Sequence, residues 1–318
     1  MVSSDALLLH LTAFAPKPIA ASAEAWQALT QLAPMHQLAP LVAYNLEYRL
    51  AGSGAPQVVR DVLLSHYQGA LADNVFKFVN LKKALAECPD RQVLLLDAAA
   101  FADALYPHIA FRPTAELRLL VHPDDLTEVQ RGFAEAGYAP SRERDGLGGD
   151  AVSTDDRTRI VLHTKLFGAA DDGLWSRALP SRAFGQNAHR PSLEDALLCA
   201  VLLQARAGFD TPLIHTLDLR ELVRGAPDLG GPYSHPPDGQ LVLARAKVLR
   251  LERALWTAME LVAQVFPEVA AQARALQPPI RAASQALLRR VLVGPLLDLE
   301  RTRAPRGLER IRKLLSGA

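Results

Sequence analysis

Glu116 and Arg118 stand two residues apart on a β-prone run, a spacing that turns both side chains to one face of a strand. An arginine so placed can grip a phosphate or a carboxylate without any metal, because its planar guanidinium offers paired donors; Arg112 is open to the same use. Arg112 can equally fix the turn at Pro113 by anchoring neighbouring carbonyls. His163 and His122, each at the end of such a run, could act as a base or as metal ligands, although strand-end histidines are more often held by structural hydrogen bonds. Asp103 and His108 lie close in sequence, but no serine or cysteine stands where they would activate a nucleophile. Cys88, just before Pro89, and Cys199, on an apolar stripe, are too few for a thiolate metal cage or a disulfide framework, and neither is placed to be reactive. Asp218 reads as a buried helix-packing carboxylate, and Trp26, Trp175 and Trp256 as core anchors.

Three short runs must position these groups: Val93 to Leu96, Leu117 to Val121 and Arg159 to His163, all β-prone and therefore candidate strands. After the second, His122 and Pro123 open a helix with Asp124 and Asp125 in its first turn, Leu126, Val129 and Phe133 as its buried stripe and Gly137 as its stop. From Asp145 to Asp156 the glycines and aspartates predict a hairpin loop or mobile flap leading into the third strand. The first third of the chain has helical spacing, in Trp26, Leu29 and Leu32 and again from Val59 to Val79. Helix returns at Ser192, expected to cap the amides near Asp195, and runs to Gly208. A proline- and glycine-rich loop spans Gly225 to Gly239, and a long helical pattern from Leu241 to Ala275 is broken by Pro267.

At 318 residues, with 49% apolar and 22% charged side chains, the chain is long enough for one large or two modest domains and too apolar for wholesale disorder. A formal net charge of +1 supplies no global field for nucleic acid or anionic lipid. From Arg274 to Ala318 ten basic residues meet three acidic ones, but no aromatic residue is there to stack on bases, so nucleic acid is an unlikely partner. No apolar stretch approaches the ~20 residues of a membrane span, and the amino terminus lacks the charged-then-apolar layout of an export signal, which reads as cytoplasmic.

The segment Val93-Leu-Leu-Leu-Asp97-Ala-Ala-Ala, then Leu105-Tyr106-Pro107, then Phe111-Arg112-Pro113-Thr-Ala-Glu116-Leu-Arg118-Leu-Leu-Val121, then a helix closing at Ala136-Gly137-Tyr138, resembles a bacterial group. It is similar to the uncharacterised nucleotidyltransferase family of the polymerase-beta-like superfamily. That family ends a strand in Leu-Lys-Gly, follows with Tyr-Pro, and carries paired carboxylates in Arg-Pro-Met-Gly-Asp-Ile-Asp-Leu-Leu-Val. Ile160-Val161-Leu162-His163 resembles its Val-Asp-Leu-His-Trp strand, and Pro191-Ser-Leu-Glu-Asp-Ala-Leu-Leu with Leu217-Asp218-Leu219 resembles its helical carboxy-terminal half. His36-Gln-Leu-Ala-Pro-Leu-Val fits as well, so the likeness spans about Leu32 to Leu222. It implies an α/β (α+β) fold: a nucleotidyltransferase-like core with a short mixed sheet over 89–190, between an N-terminal helical region, 1–88, and a C-terminal helical region with a basic tail, 191–318.

In that superfamily two strand carboxylates and a third from a neighbouring strand hold two Mg²⁺ ions against a triphosphate. Here the three positions are Glu116, Arg118 and Val161, so three negative charges become one negative, one positive and one neutral side chain. The glycine before them is Ala115, and Lys-Gly is replaced by Asp97-Ala98. The resemblance therefore implies a degenerate site with no metal ligands and no resident cofactor. Asp97, Arg112, Glu116, Arg118 and His163 remain candidates for ligand binding. The reversed signs at Asp97 and Arg118 suggest a swapped ion pair, with Glu116–Arg118 as the competing arrangement. Three functions stay open. The first is a binding or scaffolding protein with a protein partner, meeting it through the old cleft or the basic carboxy-terminal helices. The second is an active enzyme that uses Mg²⁺ and Glu116 to move a nucleoside monophosphate from a nucleoside triphosphate to a protein, peptide or small molecule. The third is a metal-free nucleotide or phosphate sensor.

Overall fold

The computed structural model describes residues 2–13, 15–52, 54–143, 145–294 and 299. The three expected strands form, as β1 (Val93–Leu96), β2 (Leu117–Val121) and β5 (Arg159–His163). Every residue of β1 and β2 is buried, as expected for strands covered on both faces. β1 pairs antiparallel with β2, and β2 pairs parallel with β5. Four further strands complete a mixed sheet in the order β3-β4-β5-β2-β1-β7-β6. They are β3 (Ala139–Ser141), β4 (Ala151–Thr154), β6 (Leu179–Pro180) and β7 (Ala188–Arg190), runs of two to four residues that are too short for a periodicity to show.

The stretch expected to be a hairpin loop or flap is thus partly strand. Ala151–Thr154 pairs antiparallel with β5, the residues before it form a loop, and Asp155 and Asp156 open the turn into β5. The helix after β2 begins with a 3₁₀ turn, Pro123–Asp125, before the α-helix Leu126–Glu135, and Gly137 takes φ +97° at its end. Ser192 does not cap amide groups; its hydroxyl instead donates to the Asp195 carboxylate at 2.9 Å. The pattern from Leu241 to Ala275 breaks at Pro267, and also between helices Gly239–Val248 and Glu252–Val265, where Arg250 turns the backbone to φ +57°. The carboxy-terminal part of the basic tail, 295–298 and 300–318, lies outside the described residues.

One contiguous apolar cluster joins the amino-terminal helices, both sheet faces and the carboxy-terminal helices, from Leu7 through Leu94, Leu119 and Leu197 to Val262. The helix Gln57–Ala86, which starts after Pro56, packs on the 3₁₀ turn Ile109–Phe111 that leads to β2. Its buried Asn74 donates to the carbonyls of Ile109 and Arg112 at 2.6 and 2.8 Å, and accepts from the Thr114 amide at 3.1 Å. These three bonds hold the approach to β2. Arg112 adds only one carbonyl contact, to Pro113 at 3.0 Å, so the anchoring expected of it belongs largely to Asn74. No helix among the described residues is long and apolar enough to cross a membrane.

Candidate functional site

The register of the sheet sets Arg118 beside Leu96 on one side and Val161 on the other, and Leu120 beside His163. Glu116 precedes β2 by one residue, so the two-residue alternation turns it and Arg118 to the same face. Across from them stands the helix Leu213–Arg224, which contributes His215 and Asp218 one turn apart. Between strand ends and helix lies a cleft of about 90 Å³, lined by Asp97, Glu116, Arg118, Gln204, His215 and Asp218 among others.

Arg118 is 3% exposed and is the centre of the first charge cluster. Its Nη2 and Nη1 reach the two carboxylate oxygens of Asp145 at 2.9 and 3.1 Å, a bidentate fork. Nη2 also donates to Glu116, which is shared with Arg159. Asp145 Oδ2 accepts two amides of its own loop as well, Gly149 at 2.6 Å and Leu147 at 3.2 Å. The loop comes so close that a Cβ on Gly149 would collide with Val161 Cγ1, which makes glycine necessary there. Burial alone would raise the Asp145 carboxyl, but hydrogen bonding and attraction from Arg118 outweigh it and hold the group below its ordinary range.

His163 completes this cluster. Arg118 Nη1 lies 3.1 Å from its Nε2, and the Gly148 carbonyl 3.2 Å from its Nδ1. A guanidinium can only donate and a carbonyl can only accept, so Nε2 is bare and Nδ1 carries the proton. Burial, reinforced by the Arg118 cation, pushes the His163 pKa down to about 4, and the ring is neutral at pH 7. A neutral imidazole already bonded at both nitrogens is a structural partner and is not poised as a base. His122 is elsewhere, stacked on Trp175 at a centroid distance of 4.2 Å.

The second cluster surrounds Arg112. Its Nε donates to both oxygens of Asp218, at 3.0 and 2.9 Å, and its Nη2 donates to Asp97 Oδ1 at 2.8 Å and faces His215 Nδ1 at 3.3 Å. The Tyr106 hydroxyl donates to Asp218 Oδ1 at 2.6 Å. Asp218 is buried, as expected of a packing carboxylate, but it packs through these bonds rather than against apolar neighbours. Desolvation opposes the charge on Asp97, yet Arg112 and His215 overcome it and hold that carboxyl well below the usual carboxylate range.

Two expectations change here. Asp97 does not face Arg118; its partner is Arg112, and Arg118 pairs with Asp145 and Glu116. The reason is local: Asp97 leaves β1 at φ +50° and ψ −132°, outside the strand region, so strand alternation no longer sets where its side chain goes. The second concerns metal ligands, of which the sequence offered none. Asp97, His215 and Asp218 bring one ligand atom each to within 4.8 Å of one another. All three of these residues also meet nitrogens of Arg112, so a guanidinium supplies the positive charge that a metal would bring to this ring. A double-mutant cycle on Asp97 and Arg112 should show coupling of about 0.5–3 kcal/mol in urea denaturation, while Asp97 with Arg118 stays much nearer additivity.

The site therefore gathers Asp97, Arg112, Glu116, Arg118, Val161 and His163, all named from sequence, into two adjacent clusters. Sequence reasoning missed Asp145, Arg159 and His215, and missed the pairing of Asp218 with Arg112. The signals were faint: the glycines after Asp145, and the three-residue spacing of His215 and Asp218 on one helix face. Asp103 instead pairs with Arg190, at 3.0 Å.

A family model described as an uncharacterised nucleotidyltransferase matches residues 22–267, well over half of the chain. No curated protein and no solved structure matches it. The matched span holds every strand of the sheet, both charge clusters and the helix that carries His215 and Asp218. The chain belongs to the uncharacterised nucleotidyltransferase family.

Proposed function

We propose that this family member assembles no two-metal centre and works as a binding or scaffolding protein with a protein partner. The observation that carries this reading is the buried Arg118 guanidinium, bonded to both Glu116 and Asp145, at a strand position where the resemblance expects a metal-binding carboxylate. Val161 at the third position adds no charge, and Arg159 takes up part of the charge left on Glu116. A cluster already neutralised from within has little to gain from a divalent cation, which would have to displace the guanidinium or share its carboxylates. The cleft of about 90 Å³ is also well below the roughly 300–1,000 Å³ of small-molecule pockets.

Titration calorimetry with ATP, in the presence and absence of Mg²⁺, tests this directly. No heat under either condition is the expected result. Magnesium-dependent binding would support the second reading, an active nucleotidyltransferase, which draws on the convergence of Asp97, His215 and Asp218. Binding without magnesium would support a sensor that uses the arginines alone. The converse experiment restores the missing carboxylates with Arg118→Asp and Val161→Asp together. That variant should be strongly destabilised in EDTA, because Glu116 and Asp145 would then face two more negative charges, and its melting temperature should rise by several degrees in millimolar Mn²⁺ or Mg²⁺. Indifference to both ions would sink the charge-based account.

A further inference from the structure

A second and larger cavity, of about 620 Å³, lies within the size range of small-molecule sites. It is lined from five parts of the chain: Ala13 and Ala15, the Tyr44–Arg49 stretch, the turn from Leu105 to Phe111, the end of the Leu213–Arg224 helix with the loop beyond it, and Glu268. Residues Asn45–Arg49 form a π-helical turn, a rare conformation often found at functional sites.

Three polar groups converge there, each with capacity to spare. Asn45 is 1% exposed, and its Nδ2 donates to the Leu11 and Ala13 carbonyls at 2.8 and 2.7 Å. Those two acceptors fix the orientation of the amide, and Oδ1 makes no hydrogen bond among the described residues, so this buried side chain leaves an acceptor open at the cavity wall. His108 Nδ1 accepts the Ala110 amide at 3.3 Å, which puts the proton of the neutral ring on Nε2 and leaves a donor. Arg49, at the rim, has no carboxylate within 4.0 Å among the described residues; its guanidinium lies 5.9 Å from the Tyr44 ring centroid. Tyr44 and Phe111 meet edge-on at 4.8 Å and provide flat apolar surface between these groups. On the opposite wall Glu221, fully buried, is bonded by Arg220 at 2.6 Å and Arg224 at 2.9 Å. With Glu268 counted, the described lining carries three arginines and two glutamates.

We propose that this cavity binds a flat organic anion carrying a hydrogen-bond donor. The aromatic body packs on Tyr44 and Phe111, the donor satisfies Asn45 Oδ1, and the acidic group, carboxylate or phosphate, meets Arg49. The site is separate from the inherited cleft and stands whether or not that cleft takes a metal.

The probe is 8-anilinonaphthalene-1-sulfonate, which combines a sulfonate, an N–H and flat rings. The folded full chain should bind one dye per molecule, saturably, with a blue-shifted emission and a raised melting temperature. Arg49→Glu changes an exposed side chain and should weaken binding at least tenfold with the fold intact by circular dichroism. Leu229→Trp, which fills the cavity from its half-buried edge, should abolish it. Glu116→Gln, in the inherited cleft, should leave it unchanged. The proposal is overturned by an absence of saturable binding, by binding that Arg49→Glu does not weaken, or by loss of binding in Glu116→Gln. The last result would place the dye in the cleft. If Leu229→Trp fails to fold, Arg49→Glu decides alone. None of these outcomes depends on magnesium or ATP, so they are read independently of the test for metal-dependent transfer.

Discussion

Arg118→Met should destabilise the protein by about 3–5 kcal/mol, the usual cost of breaking a buried ion pair from one side. The side chains of Arg118 and Asp145 are each 3% exposed, so water cannot replace the lost donors without opening the loop. Asp145 would keep only the amides of Leu147 and Gly149, and His163 Nε2 would lose its donor. Glu116 is affected less, because it retains Arg159 and is about a quarter exposed. The loss is read as a fall in the urea midpoint at unchanged slope. Arg118→Met combined with Asp145→Leu should recover a large part of it, since an apolar pair of similar volume leaves no charge stranded. A single-variant loss under about 1 kcal/mol would mean that the loop already lets water reach the carboxylates.

The second large effect is on pH dependence. His163 has its pKa lowered to about 4 in the fold, against about 6.5 for an unperturbed histidine in the unfolded chain. Between those values the unfolded state holds a proton that the folded state refuses, so stability rises with pH across this window. The contribution of His163 is complete above about pH 6.5 and is lost as the pH falls toward 4, by about 1.4 kcal/mol per unit and about 3 kcal/mol in total. His163→Gln should remove that part of the slope, which is measured as the difference between the two proteins' urea midpoints from pH 7 to pH 4. Arg118→Met should also let the His163 pKa climb, because it removes a cation while Asp145 continues to favour the protonated ring. Carbon-13 or nitrogen-15 titration of the ring would follow this directly. If the His163 pKa were unchanged in Arg118→Met, the cation would not be the neighbour that matters.

The three expected strands were legible because apolar β-branched and leucine-rich runs have few other ways to be buried, and their order fitted one known family. The short strands were not: Leu179–Pro180 and Ala188–Arg190 have no pattern of their own and form only because β1 leaves an edge to pair with. That Glu116 and Arg118 share a face was visible in the sequence, since the two-residue period of a strand fixes which side chains lie together. The register that sets Val161 beside Arg118 came only with the structure, because alternation within one strand does not fix its pairing with another.

Partner choice was a different matter. Asp97 lies at the end of a strand, where one positive φ redirected its carboxylate from Arg118 to Arg112. Asp145 lies in a loop whose reach depends on glycine at 149 and on the space above Val161. His215 and Asp218 arrive from a helix about a hundred residues away in sequence. Residue types and strand faces are local properties, and the amino-acid sequence determined them, along with the fold class and the family. Which buried charge answers which depends on loop paths and helix docking set by packing across the whole chain, so the Arg118–Asp145 and Arg112–Asp218 pairs were decided only in the tertiary structure.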